Sequence, residues 1–168
     1  MNKKIRKIWN ATTTVLVFAS VVLAFLLVGV KLIGLDTYIV LSGSMEPHYQ
    51  TGSLIYVADA DVNNLSEGDV ITFQLFGGTV ATHRIVEVVS EDGLGFITKG
   101  DANDVEDSMI VRPSDVIGTP VFVIPYLGYL ASYIQQPPGF YIAICAACLL
   151  ALLVFIPDLI PEKKEDVL

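Results

Sequence analysis

Ser42-Gly43-Ser44-Met45-Glu46-Pro47 is a small polar turn bracketed by Gly and Pro. A nucleophilic serine needs an exposed hydroxyl on a sharp backbone bend, with donors close by for an oxyanion. Ser44 can offer its own backbone N–H, and Ser42 can add a hydroxyl. On its own, the stretch reads equally well as a plain Ser-Gly-Ser bend. A serine also needs a base, and between residues 33 and 138 the candidates are His48, His83 and Lys99. Neutral imidazole accepts a proton near neutrality. His83 lies in an apolar strand pattern, Ala81-Thr82-His83-Arg84-Ile85-Val86, where a structural histidine is the ordinary reading. His48 follows Pro47 and is expected to be solvated, and Lys99 would need strong desolvation to become neutral. A carboxylate usually orients an imidazole base. Asp101 and Asp107 stand six apart in Lys99-Gly100-Asp101-Ala102-Asn103-Asp104-Val105-Glu106-Asp107. The same acids could form a solvated loop, and their spacing lacks the calcium pattern of alternating ligands closed by a distal Glu.

Positioning these groups calls for short strands. Residues 53–57 are rich in β-formers, and residues 70–73 form another strand candidate, with Gly77-Gly78 closing a hairpin. Residues 79–89 alternate and carry His83. Residues 94–98 lead into the acidic run. Asn63-Asn64, Glu67-Gly68-Asp69 and Glu91-Asp92-Gly93 are turn signals. Residues 35–47 read as an approach to this domain. The pattern predicts a compact, mostly antiparallel β domain. Residues 120–124 read as a further strand. Residues 126–134, with Tyr126, Tyr129 and Tyr133, read as a segment at a membrane interface.

The flanks are of another kind. Of 168 residues, 53% are hydrophobic, and the mean hydropathy is +0.61. Residues 11–30 form an uncharged run of twenty, preceded by Lys3, Lys4, Arg6 and Lys7. Such a helix is about 30 Å long, the thickness of a bilayer core. It exceeds a signal-peptide core and has no A-x-A-like cleavage site after it, so it is expected to be an uncleaved anchor. Residues 139–156 are a second uncharged run, followed by Pro157, Lys163 and Lys164. Clustered Lys and Arg stay cytoplasmic. The expected organisation is therefore a cytoplasmic basic tail at 1–10, a transmembrane anchor at 11–32 and an extracytoplasmic β-rich catalytic domain at 33–138. A second transmembrane helix follows at 139–157, and then a cytoplasmic tail at 158–168. Residues 33–138 hold fourteen acids against Arg84, Lys99 and Arg112, which argues against nucleic-acid binding. Cys145 and Cys148, one helical turn apart in an apolar run, read as two small helix residues rather than a redox or metal pair.

Four boxes occur in a fixed order. They are Ser42-Gly43-Ser44-Met45-Glu46-Pro47 after an anchor, Gly68-Asp69-Val70-Ile71, His83-Arg84-Ile85-Val86, and Lys99-Gly100-Asp101 with a later Asp107. The set resembles the type I signal peptidases, and specifically their endoplasmic-reticulum-like branch. That branch is found in eukaryotes, archaea and some Gram-positive bacteria. In the bacterial branch the third box reads Lys-Arg and the lysine is the base; here His83 stands in its place. The resemblance implies Ser44 as nucleophile, His83 as general base, Asp101 and Asp107 as the two acids of the last box, and Ser42 as an oxyanion donor. It leaves open which acid orients His83, and it gives Arg84 a structural role. It implies a mainly β, signal-peptidase-like catalytic domain flanked by two transmembrane helices, with no second β domain. It also implies a serine endopeptidase that needs no metal or cofactor, in the plasma membrane with both termini cytoplasmic. The expected cleavage follows small residues at −3 and −1. The expected partners are signal peptides of secreted preproteins, the lipid bilayer and the secretion translocon. The alternative class is a catalytically silent, membrane-anchored β-rich module that binds signal peptides or supports an export complex.

Overall fold

The structure, a computed structural model, describes residues 3–75, 77–90 and 93–159. They fall into two units: a helical unit from the N-terminal and C-terminal parts of the chain, and a β unit over Val30–Ser132. Part of the expected Glu91-Asp92-Gly93 turn lies outside the described residues, as do Lys163, Lys164 and most of the expected C-terminal tail.

The helical unit contains α1 (Lys3–Leu27) and α3 (Gly139–Leu159). Both are long and apolar enough to cross a membrane, and their apolar windows are almost wholly unburied. The lysines expected in a tail form the first turns of α1. A 3-10 turn over Gly29–Ile33 follows that helix. Pro157 lies inside the last turns of α3 rather than after it. The two helices pair near the start of one and the end of the other. Arg6 Nη2 lies 3.2 Å from Asp158 Oδ1, and the Trp9 indole donates to the Leu153 carbonyl at 3.0 Å. Both cysteines are free and exposed on α3.

The β unit holds six strands: β1 (Leu35–Ile39), β2 (Leu54–Ala58), β3 (Val70–Gln74), β4 (Val80–Val89), β5 (Gly95–Lys99) and β6 (Val116–Ile124). All pairings are antiparallel, in the order β1-β2-β6-β3-β4-β5. The expected strands β2, β3, β4 and β5 form within a residue or two of their sequence bounds. The stretch expected only as an approach contains strand β1, which pairs Leu35 with Ala58 and Ile39 with Leu54. Strand β6 starts four residues before the expected Pro120. Its first part pairs with β3 and its second part with β2, so it joins the β1–β2 pair to the β3–β4–β5 strands. Pro120 has no N–H for a ladder, and it sits where the β2 register slips between Tyr56 and Val57.

Burial follows the patterning. β2 lies inside the sheet, and its apolar run from Leu54 to Val57 is buried throughout. In the other half, Ile71, Phe73, Ile85, Phe96 and Val111 form the core cluster. The β3–β4 hairpin closes through Gly77 (φ 85°) and Gly78 (φ 83°), in left-handed backbone that side chains other than glycine rarely adopt. The tyrosine-rich segment is a short helix, α2 (Leu127–Gln135). Gly128 and Ala131 are buried, while Tyr129, Leu130 and Tyr133 are exposed.

Candidate active site

Two connections and one strand of the sheet meet at the site. Ser44 lies in the 40–53 loop between β1 and β2, in a turn held by bonds from Glu46 N to Gly43 O and from Tyr49 N to Met45 O. His83 is on β4, opposite Ile71 on β3. Directly paired residues, and residues two apart, share a face of a sheet. His83 therefore lies on the same face as Ile71, Phe73 and Ile85, at the edge of the core. Its ring meets Phe73 edge-on at 6.2 Å, and its side chain is 14% exposed. Asp107 comes from the loop after β5, which folds back so that Asp107 N donates to Thr98 O.

These three groups form a chain. Ser44 Oγ is 3.1 Å from His83 Nε2, and His83 Nδ1 is 2.6 Å from Asp107 Oδ2. With the carboxylate accepting from Nδ1–H, Nε2 carries the free lone pair and faces the serine hydroxyl. Ser42 Oγ lies 3.3 Å from Ser44 Oγ and is exposed.

Asp101 is elsewhere. It takes a two-pronged bond from Arg84, with Nε to Oδ1 at 2.8 Å and Nη2 to Oδ2 at 2.7 Å. His48 Nδ1 lies 2.9 Å from the same Oδ2. The Arg84 bond holds the Asp101 carboxyl below the usual carboxylate range, against burial that pushes it up, and His48 adds to the lowering. Arg84 also donates to Gly68 O, which ties in the second box. Burial holds the nearby Tyr49 phenol above its usual range.

The Asp101 loop also grips the serine turn through its backbone. Ala102 N donates to Ser44 O at 2.8 Å, and Asp101 N points at Met45 Sδ at 3.4 Å. At Gly100 a Cβ would come within 2.6 Å of Ser44 O, so the close approach requires glycine. Lys99 pairs in register with Arg84 on β4. Among the described residues, no group of three or more His, Cys, Asp or Glu could hold a metal ion.

No family model matches the chain. Signal peptidase I W of Bacillus subtilis (strain 168) is 52% identical over 79 residues, which are 46% of this chain and 42% of that protein. A signal peptidase complex catalytic subunit of Homo sapiens is 30% identical over 118 residues, 64% of this chain and 62% of that protein. The corresponding subunit of Lodderomyces elongisporus is 32% identical over 108 residues, 58% of this chain and 64% of that protein. Over part of its length the chain is thus similar in sequence to signal peptidases. The matches span less than two thirds of the length of these signal peptidases. They include eukaryotic catalytic subunits, as the resemblance to the endoplasmic-reticulum-like branch implies. With signal peptidase relatives, the two apolar helices point to a membrane protein.

One neighbour of the site was not singled out in the signal peptidase boxes. Thr98 is fully buried, and its hydroxyl donates to Asp107 Oδ2 at 2.6 Å. It directly precedes the Lys99-Gly100-Asp101 box, and strand parity with Phe96 was the signal available for it.

Proposed function

We propose that the chain is a membrane-bound serine endopeptidase that removes signal peptides from exported proteins after small residues at −3 and −1. The observation that carries this is the hydrogen-bonded chain from Ser44 Oγ through His83 to Asp107. In this reading Ser44 attacks the scissile carbonyl while His83 Nε2 takes its proton. The imidazolium that forms keeps its Nδ1–H on Asp107, whose negative charge stabilises it. Ser44 N–H and the Ser42 hydroxyl are the donors for the oxyanion. Nε2 then returns the proton to the leaving amine, and water, deprotonated by the same imidazole, releases the acyl group. The role of Asp101 is to hold the serine turn through Arg84 and His48, and no proton step passes through it.

The pairing of Arg6 with Asp158 and of Trp9 with Leu153 supports a two-span topology in which these helix ends share one side of the bilayer. In this reading the lysines of α1 mark that side as the cytoplasm, and residues 33–138 are extracytoplasmic. Val121, Phe122, Tyr126, Tyr129 and Leu130 are exposed, as is Leu41 beside the serine turn. These exposed apolar side chains support a catalytic domain that rests on the membrane, where the signal peptide is confined to the same bilayer. The secretion translocon and the lipid bilayer are the proposed surroundings.

The deciding experiment is cleavage of a detergent-solubilised preprotein by the wild type, Ser44→Ala and His83→Ala. Cleavage at a small-x-small site by the wild type alone is the expected result. Wild-type protein that binds the precursor in native lipid and leaves it intact overturns the enzyme reading.

A further inference from the structure

Asp107 Oδ2 accepts two hydrogen bonds, one from His83 Nδ1 and one from the Thr98 hydroxyl, both at 2.6 Å. The fold explains why Thr98 is there. β5 pairs with β4 so that Thr98 stands opposite Ile85, two residues from His83. Paired residues share a face, so Thr98 and His83 lie diagonally on the same side of the sheet. Thr98 also accepts the backbone N–H of Asp107 on its own carbonyl, at 2.8 Å. One residue of a rigid strand thus holds a loop aspartate at both its backbone and its carboxylate. The burial contrast sharpens this: Thr98 is fully buried, whereas the Asp107 side chain is 26% exposed.

Resting on the proposal that His83 is the base, we propose that Thr98 is the positioning residue of the acid–base pair, its hydroxyl fixing Asp107 Oδ2 against His83 Nδ1. Asp107 stands on a turn-rich loop with no regular structure on either side. A carboxylate there that accepted only from His83 could turn about its side-chain bonds or exchange the imidazole for water. A buried hydroxyl has no water with which to exchange the bond. That fixed geometry matters at the moment the imidazole becomes positively charged. The threonine does not touch the substrate, so its removal acts on the rate of chemistry and leaves substrate binding alone.

The experiment uses the full-length protein in detergent with a preprotein substrate, and compares the wild type with Thr98→Val, Thr98→Ser and His83→Ala. Valine keeps the shape and removes the hydroxyl; serine keeps the hydroxyl. Thr98→Val is expected to lower kcat roughly 10-fold, the usual worth of a hydrogen bond to a charged group, with KM unchanged. Thr98→Ser is expected to restore kcat to within about 3-fold of the wild type. Wild-type kcat in Thr98→Val overturns the proposal. So does an equal loss in the serine and valine forms, which assigns Thr98 to packing alone. Should the valine form not fold by circular dichroism, Thr98→Ala takes its place with the same criteria. Activity retained in His83→Ala sinks the underlying base assignment, whereas an inactive His83→Ala beside a fully active Thr98→Val sinks only the role of Thr98.

Discussion

Two carboxylates of one loop, six residues apart, meet two neighbouring residues of one strand, with different results. Asp107 reaches His83, and through it Ser44. Asp101 reaches Arg84, the next residue along β4, together with His48 on the serine turn. Consecutive residues of a strand project to opposite faces. A single His-Arg dipeptide can therefore organise two networks that do not share a group. In the first, an imidazole sits between an alcohol and a carboxylate, an arrangement that can move a proton. In the second, a permanently charged guanidinium grips a carboxylate in a fixed two-pronged geometry, which can fix a loop and move no proton. Residue type, more than position in the motif, separates the two.

The contrast breaks most sharply in kinetics. Ser44→Ala and His83→Ala should each lower kcat by roughly 10⁶-fold, the scale of losing a nucleophile or base. Asp107→Asn should follow at roughly 10⁴-fold, because an amide can present its N–H to Nδ1 and fix the wrong tautomer. Asp101→Asn should lower kcat by no more than about 10-fold, since it loosens only the serine turn. Steady-state kinetics on all four variants measures this order. An Asp101→Asn enzyme as inactive as Asp107→Asn would erase the distinction.

A second way to sharpen it is stability. Asp101→Asn should lose about 1–3 kcal/mol, because Arg84 keeps its charge but not its partner. The pH dependence has a definite sign. The Asp101 carboxyl titrates lower in the folded state than in the unfolded chain. Its contribution is therefore complete above the unfolded value of about 4 and is lost as the pH falls through the folded value. Thermal melts at pH 5 and pH 3 should show the wild type losing more stability than Asp101→Asn over that interval. Parallel losses in the two proteins would remove Asp101 from the account.

Activity has the opposite ordering of groups. Proton abstraction needs the unprotonated imidazole, so the rate should fall as the pH is lowered while the fold persists. A profile flat down to pH 4 would count against His83. The smallest effect concerns the exposed aromatic surface. Tyr129→Lys should lower cleavage of membrane-held precursor a few-fold and leave a short soluble peptide unaffected, as expected if the surface meets lipid. Equal rates on both substrates would leave that surface without a membrane role.

Much of this was legible from residue order. The two apolar helices follow from uncharged runs long enough to span a bilayer. β2, β3, β4 and β5 follow from alternation between turn signals. β1 is not legible in the sequence because Leu35-Asp36-Thr37-Tyr38-Ile39 is short, carries an acid and is separated from the anchor only by Ile33 and a single glycine, Gly34. Only its pairing with β2 makes it a strand, and that pairing turns the serine stretch from an approach into a hairpin loop. The early start of β6 was hidden by Pro120, which the sheet tolerates at a slip in register.

The sequence by itself determined the types of group available: one serine turn, a histidine and an arginine side by side, two acids after a glycine, and two membrane-length helices. Only the tertiary structure decided how they pair. The choice between Asp101 and Asp107 depends on a loop folding back onto β5, and the part played by Thr98 depends on the register between β4 and β5. Local pattern fixes which face a side chain occupies. Register and loop return are set by contacts between segments far apart in the chain, so no local pattern carries them.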